Sequence, residues 1–243
     1  MLTNKTLNFL GYRLFVGNIS ELSGAIPTTS KRIIVNTINP HSYVVAKNEP
    51  RFANALNEAD FVVPDGSGIV LGVKIRNKLK IERIAGFDVF ELLMNRANSE
   101  GLKVFFLGAS AQTLVAIQKK AAVQYPSAIV KTYSPPFKAE FSVEENKEMI
   151  SIVNEFEPDI LFVGMTAPKQ EKWLAEHKKK LNFGVGSCIG AVFDFYAGNV
   201  KRPSLFWQKL GLEWLPRLFA EPKRLWRRMV ISAPIYLWDV ITK

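Results

Sequence analysis

The chain has one cysteine, Cys188, so no disulfide can form within it, which points to a reducing compartment. Histidine is nearly as scarce. His41 and His177 are the only two, too few beside one thiol for a zinc site. Neither a GxxxxGK(S/T) loop nor a GxGxxG fingerprint occurs, which removes the two common nucleotide signatures. No Asp-x-Asp pair offers the usual carboxylate cradle for a Mg²⁺–diphosphate. No stretch approaches the roughly 20 apolar residues of a spanning helix; the nearest, Met229–Val240, is broken by Pro234. Met1–Ser20 mixes Asn, Lys, Arg and Gly with its apolar residues and has no signal-peptide core. The expectation is a cytoplasmic protein, with neither metal nor cofactor, that sits on a membrane surface without crossing it.

What the chain does have is unevenly placed. Val200–Lys243 holds Trp207, Trp214, Trp226 and Trp238, four of the five tryptophans. Its nine Lys/Arg stand against Glu213, Glu221 and Asp239, leaving six of the chain's ten net positive charges there. Indole at headgroup depth and cations against anionic lipid favour a membrane–water interface. Basic residues among tryptophans also suit nucleic acid, but the charge is confined to one end and no nucleic-acid motif is present, so none is expected as a partner. The 48% hydrophobic content is enough for a sizeable core. The composition shifts near Gly198–Pro203, dividing the chain into a core, 1–198, and a C-terminal membrane-associating appendage, 199–243. Glu221-Pro222 reads as a helix start within the appendage.

Short apolar runs alternate with helical patterns through the core. Lys31–Ile38, Phe61–Val63, Lys103–Leu107, Ala128–Thr132, Asp159–Val163 and Phe183–Ser187 read as strands. Asp88–Glu100, Ala111–Gln124, Val143–Glu157 and Pro168–Lys180 carry apolar residues at three- and four-residue spacing. Strands alternating with helices of this length imply crossovers, and hence an α/β, Rossmann-like, mainly parallel sheet covered on both faces.

In such a sheet, ligands bind beyond the carboxyl ends of the strands. Thr37 and Asn39, Asp65-Gly66, Gly108-Ala109-Ser110, Gly164 to Glu171 and Gly186 to Asp194 fall there. Glycines admit a phosphate to the backbone and a following helix start favours its charge, so a nucleotide or sugar nucleotide fits. Each residue also has a plainer reading. Asp65-Gly66 is a common turn pair, Arg83 can pair with Glu82, and Thr37 and Asn39 can cap a helix. Gln170 can be an ordinary first-turn residue, His41 a loop residue, Cys188 a packed thiol, and the tryptophans core. Asp194, inside apolar Val192–Tyr196, calls for a partner such as a ribose diol.

The ordered set Asn36-Thr37-Ile38-Asn39, ADFVVPDG (59–66), ERIAG (82–86), PKQE (168–171), FDFYAG (193–198) and GLEW (211–214) resembles the WecG/TagA/CpsF family of bacterial glycosyltransferases. Arg217, Glu221-Pro222 and Arg224 follow in register, so the resemblance runs from about Ile33 to Arg228. It implies an inverting, metal-independent transfer from a UDP-sugar to a polyprenyl-diphosphate-linked saccharide in cell-surface polysaccharide synthesis, on the inner face of the membrane. Family members use N-acetylmannosamine, its uronic acid or glucose. By position, Asp65 matches the general base and Arg83 an arginine that grips substrate or diphosphate. Thr37, Asn39, Gly66, Gly108, Lys169, Gln170 and Asp194 fall among the substrate contacts. Arg217, Arg224, Arg227 and Arg228 match appendage arginines that neutralise the diphosphate. The UDP-sugar donor, the lipid-linked acceptor and an anionic membrane surface are the implied partners. The alternatives are a sugar-nucleotide-binding protein without catalysis and, further off, a nucleic-acid-binding protein.

Overall fold

A computed structural model describes residues 5–27, 32–201, 203, 204, 206, 207, 215 and 226–243, with the backbone alone at 227–229. Eight strands form one sheet: β1 (Thr6–Phe9), β2 (Tyr12–Phe15), β3 (Ile33–Ile38), β4 (Phe61–Pro64), β5 (Lys103–Gly108), β6 (Ile129–Tyr133), β7 (Ile160–Gly164) and β8 (Val185–Cys188). Their order across the sheet is β1-β2-β4-β3-β8-β7-β5-β6. Every pairing is parallel except β1 with β2. The parallel pairs bring the carboxyl ends of β3, β4, β5, β7 and β8 to one edge.

The alternation along the strands explains why both faces are covered. Val104 and Phe106 of β5, with Ile160 and Phe162 of β7, point into one core. Phe105, Leu107, Leu161 and Val163 point into the other. The first core is closed by α1 (Ile19–Ala25), α5 (Gly86–Glu100), α6 (Ala111–Gln124) and α9 (Gly190–Ala197). The second is closed by α2 (Pro40–Asn48), α3 (Pro50–Asn57), α4 (Ser67–Asn77), α7 (Val143–Phe156) and α8 (Lys169–His177). The same core receives α10 (Ala233–Thr242), which a π-helical turn, Arg227–Ser232, leads into.

The strands and helices predicted within the core, 1–198, are all present within a few residues. The β1–β2 hairpin was not anticipated, although Leu7 and Phe9 mirror Tyr12 and Leu14 across a two-residue Leu10-Gly11 turn, both at positive φ. His41 is not a loop residue but the second residue of α2. The tryptophans of the C-terminal segment are not uniformly core, because Trp226 and Trp238 are exposed. The helix start read at Glu221-Pro222 lies outside the described residues. Among the described residues no helix is long and apolar enough to cross a membrane.

Candidate active site

A cavity of about 890 Å³ opens at the carboxyl edge of the sheet. Thr37, Asn39, Asp65, Gly66, Arg83, Gly108, Lys169, Gln170 and Asp194 all line it. Those nine come from six separate chain segments, brought together because parallel strands must end on the same side. Arg217 and Arg224 lie outside the described residues, and of Arg227 and Arg228 only the backbone is described.

The floor forms where β3 and β4 end. Thr37 pairs with Val63 and Ile38 with Pro64. The Asp65 amide then donates to Ile38 O at 2.8 Å, stapling the two strand ends and leaving Asp65 half-buried before α4. Ile84 N donates to Pro64 O at 2.9 Å, which lays the segment carrying Arg83 beside the same strand end. Arg83, half-buried, therefore shares the cavity with Asp65 through backbone bonds rather than through sequence proximity. Asn39 caps α2: its Oδ1 accepts from Ser42 N at 3.0 Å, and its own amide donates to Ser42 Oγ at 2.7 Å. The capping reading of Asn39 is thus realised at the cavity edge.

Gly108 shows why a glycine ends β5. Its φ is +112°, and a Cβ there would meet Gly164 O at 2.5 Å. Ala109 N donates to that same carbonyl at 2.9 Å, so the β5 and β7 ends are held in close contact.

The opposite wall is the start of α8. Lys169 Nζ donates to Lys138 O at 2.7 Å and lies 4.4 Å from the centre of the Phe141 ring. Burial lowers its pKa from the ordinary lysine value. Gln170 is buried, and both ends of its carboxamide are engaged by the protein. Oε1 accepts from Met165 N at 3.2 Å, while Nε2 donates to Glu171 Oε1 at 2.9 Å. Cys188, also in the wall, is fully buried, and burial followed by the nearby Glu171 raises its thiol well above the ordinary range. It is a packed thiol and not a nucleophile.

Asp194 departs from expectation. It lies on α9 but is exposed, and accepts from Asn199 Nδ2 at 3.3 Å, so its apolar sequence neighbours do not bury it. The α9 turn directs Val192, Phe193 and Tyr196 inward and leaves Asp194 at the cavity mouth.

Sequence reasoning missed several lining residues. Ser67 and Gly68 lie on the first turn of α4, a helix not anticipated. Glu171 did fall in the carboxyl-edge stretch Gly164 to Glu171, yet a glutamate in a first helical turn normally faces solvent, so its burial alone was not anticipated. Ala233 enters the cavity wall from the start of α10, and His41 Nδ1 lies 2.9 Å from Ser232 Oγ, a hydrogen bond whose donor depends on the imidazole tautomer. Only the fold brings positions so far apart in sequence together.

The sheet and cavity define a Rossmann-like α/β protein with a cavity at its carboxyl edge. The sequence matches the glycosyl transferase WecG/TagA/CpsF family over residues 7–243, and the chain belongs to that family of glycosyltransferases. It is similar to an N-acetylglucosaminyldiphosphoundecaprenol N-acetyl-beta-D-mannosaminyltransferase of Bacillus spizizenii, 31% identical over 92% of this chain and 84% of the relative. A protein of the same name from Bacillus subtilis is 30% identical over 86% of this chain and 78% of its own length.

Proposed function

We propose that the chain transfers N-acetylmannosamine from its UDP-sugar to a polyprenyl-diphosphate-linked N-acetylglucosamine, with inversion at the anomeric carbon. The observation that carries this reading is the convergence of Asp65, Arg83 and Lys169 on one cavity at the sheet's carboxyl edge. The sugar and acceptor follow the names of the two relatives.

In this reaction Asp65 takes the proton of the acceptor hydroxyl as that oxygen attacks the anomeric carbon. The new carbon–oxygen bond forms on one face while the bond to the diphosphate breaks on the other, and UDP leaves with the electron pair. Arg83 and Lys169 stabilise the negative charge that collects on the departing diphosphate, without a bound metal. Arg217, Arg224, Arg227 and Arg228 add to that field when the appendage, 199–243, meets the membrane. Thr37 and Asn39 border the base, Gly66 and Gly108 admit the substrate to the backbone, and Asp194 receives the ribose hydroxyls. Gln170 acts here by shaping the wall beside the donor, since its carboxamide is already engaged.

An anionic membrane surface on the cytoplasmic side presents the acceptor. Exposed Trp226, Trp238 and Ile241 with the basic residues around them support that contact. The test is UDP release in EDTA with the UDP-sugar and a short-chain acceptor. Release that needs both substrates supports the reading; donor binding without turnover would favour a non-catalytic sugar-nucleotide protein.

A further inference from the structure

The corner between β7 and α8 contains a carboxylic acid that the reaction above does not use. Glu171 is 6% exposed, yet it belongs to the cavity wall. One oxygen, Oε1, accepts from Gln170 Nε2 at 2.9 Å; the other, Oε2, is buried with no hydrogen-bond partner. A carboxylate with a bare oxygen in such a place is strongly disfavoured, whereas the neutral acid is tolerated. Burial accordingly raises its pKa from 4.5 to about 7, outweighing the Gln170 hydrogen bond, its own backbone amide and Lys172, all of which lower it.

Among the described residues, none pairs with the Glu171 carboxyl as a cation, and the lysine nearest in effect, Lys172, is engaged elsewhere. From α3, Arg51 pairs with Glu176, and Glu49 just ahead of that helix pairs with Lys172. No residue of β7 is titratable, and β8 offers only the Cys188 thiol. Lys169, on the same helix, is turned to Lys138 O, and Asp65, Arg83 and Asp194 line the same cavity.

The Gln170 carboxamide is thereby a relay. Glu171 holds its Nε2, and its Oε1 holds Met165 N, inside a turn where Thr166 has φ +73°. The fit leaves no slack: a Cβ on Gly190 would lie 2.7 Å from Gln170 Oε1.

We propose that Glu171 is the positioning residue of this corner. It fixes Gln170, Gln170 fixes the Met165 amide, and together they shape the 164–168 turn facing the donor's diphosphate, with the acid neutral on the low-pH side of its titration. The positioning relay stands by itself; its effect on the diphosphate rests on the donor reading above.

The experiment follows the Met165 amide by ¹⁵N NMR from pH 5.5 to 8.5 in the full-length wild type and in Glu171→Gln, with UDP affinity measured at the same pH values. The Met165 resonance titrates with a midpoint near 7 in the wild type and stays flat in E171Q. UDP affinity of the wild type falls across this range by roughly tenfold more than that of E171Q, since titration of UDP's own phosphate is common to both. A Met165 titration that persists in E171Q, or none in the wild type, overturns the proposal. A relay that titrates as described while UDP fails to bind at any pH upholds the positioning and sinks the donor reading instead. Gln170→Ala gives a second check, because it cuts the relay with Glu171 in place and abolishes the Met165 titration.

Discussion

In the proposed reaction Asp65 takes the proton, and its setting shows which parts of the site were legible. Its position followed from its place after a strand, because a parallel sheet sends strand ends to one edge. The staple to Ile38 O and the approach of Arg83 through Ile84 and Pro64 were not legible, since backbone bonds between distant segments leave no local pattern. Replacing Asp65 with Asn lowers kcat by about 10²–10⁴-fold while UDP binding remains; steady-state kinetics beside calorimetry check this, and full activity would remove the base assignment. Gln170 marks a limit of another kind. A sequence cannot tell whether a carboxamide faces a ligand or its own backbone. Glu171 has a consequence for stability as well. Its folded-state pKa of about 7 lies above the ordinary 4.5, so between these values the folded form binds more protons than the unfolded one. Stability therefore falls as pH rises through that window, by about 3 kcal/mol in all, and stays reduced above it. Glu171→Gln lacks this loss, so denaturant melts at pH 5 and pH 8 separate the two proteins increasingly in favour of the variant at the higher pH.

Among the elements, β5, β7, α6 and α7 were the most readable, because their apolar residues keep the period of a buried strand or a one-sided helix. α9 was not, since GAVFDFYA is apolar nearly all round and has no single face. Glycines at 68 and 72 weaken the pattern of α4. The most unusual element is α10, which turns its polar side inward. Asp239 is buried, accepting from Tyr43 Oη at 2.7 Å and Lys47 Nζ at 2.6 Å, while Tyr236 Oη donates to Gly68 O at 3.0 Å. Ile235, Leu237, Trp238 and Ile241 face outward. Burial tends to raise the Asp239 carboxyl, but the bonds from Lys47 and Tyr43 prevail and hold it below the usual range. Its contribution is present above the ordinary carboxylate pKa and is lost as pH falls through the lower folded value. Asp239→Ala destabilises the protein by about 2–4 kcal/mol at neutral pH. Thermal melts check this, and the gap from the wild type narrows in strong acid.

At the scale of the whole molecule, a cavity and an apolar outer helix are joined by one set of contacts. α10 packs on α2 and α4, the helices that start beside Asn39 and Asp65, and its first residue, Ala233, borders the cavity. The exposed apolar side of α10, with Trp238 and Ile241, is the surface that the proposed function would set against lipid. The expected outcome is that vesicles containing anionic phospholipid bind the protein and that the binding weakens as salt rises. Changing Trp238 and Ile241 together to Ser lowers vesicle binding by roughly tenfold or more, yet leaves the melting temperature nearly unchanged because both side chains are exposed. Sedimentation with vesicles and a thermal melt read the two effects separately. The measurement that bears most directly on the central claim is UDP release from UDP-N-acetylmannosamine, in EDTA, with and without a short-chain polyprenyl-diphosphate-N-acetylglucosamine. Release that requires the acceptor, and that disappears in Asp65→Asn, is the predicted result. Acceptor-independent release, no release while UDP binds, or undiminished release by the variant would contradict it.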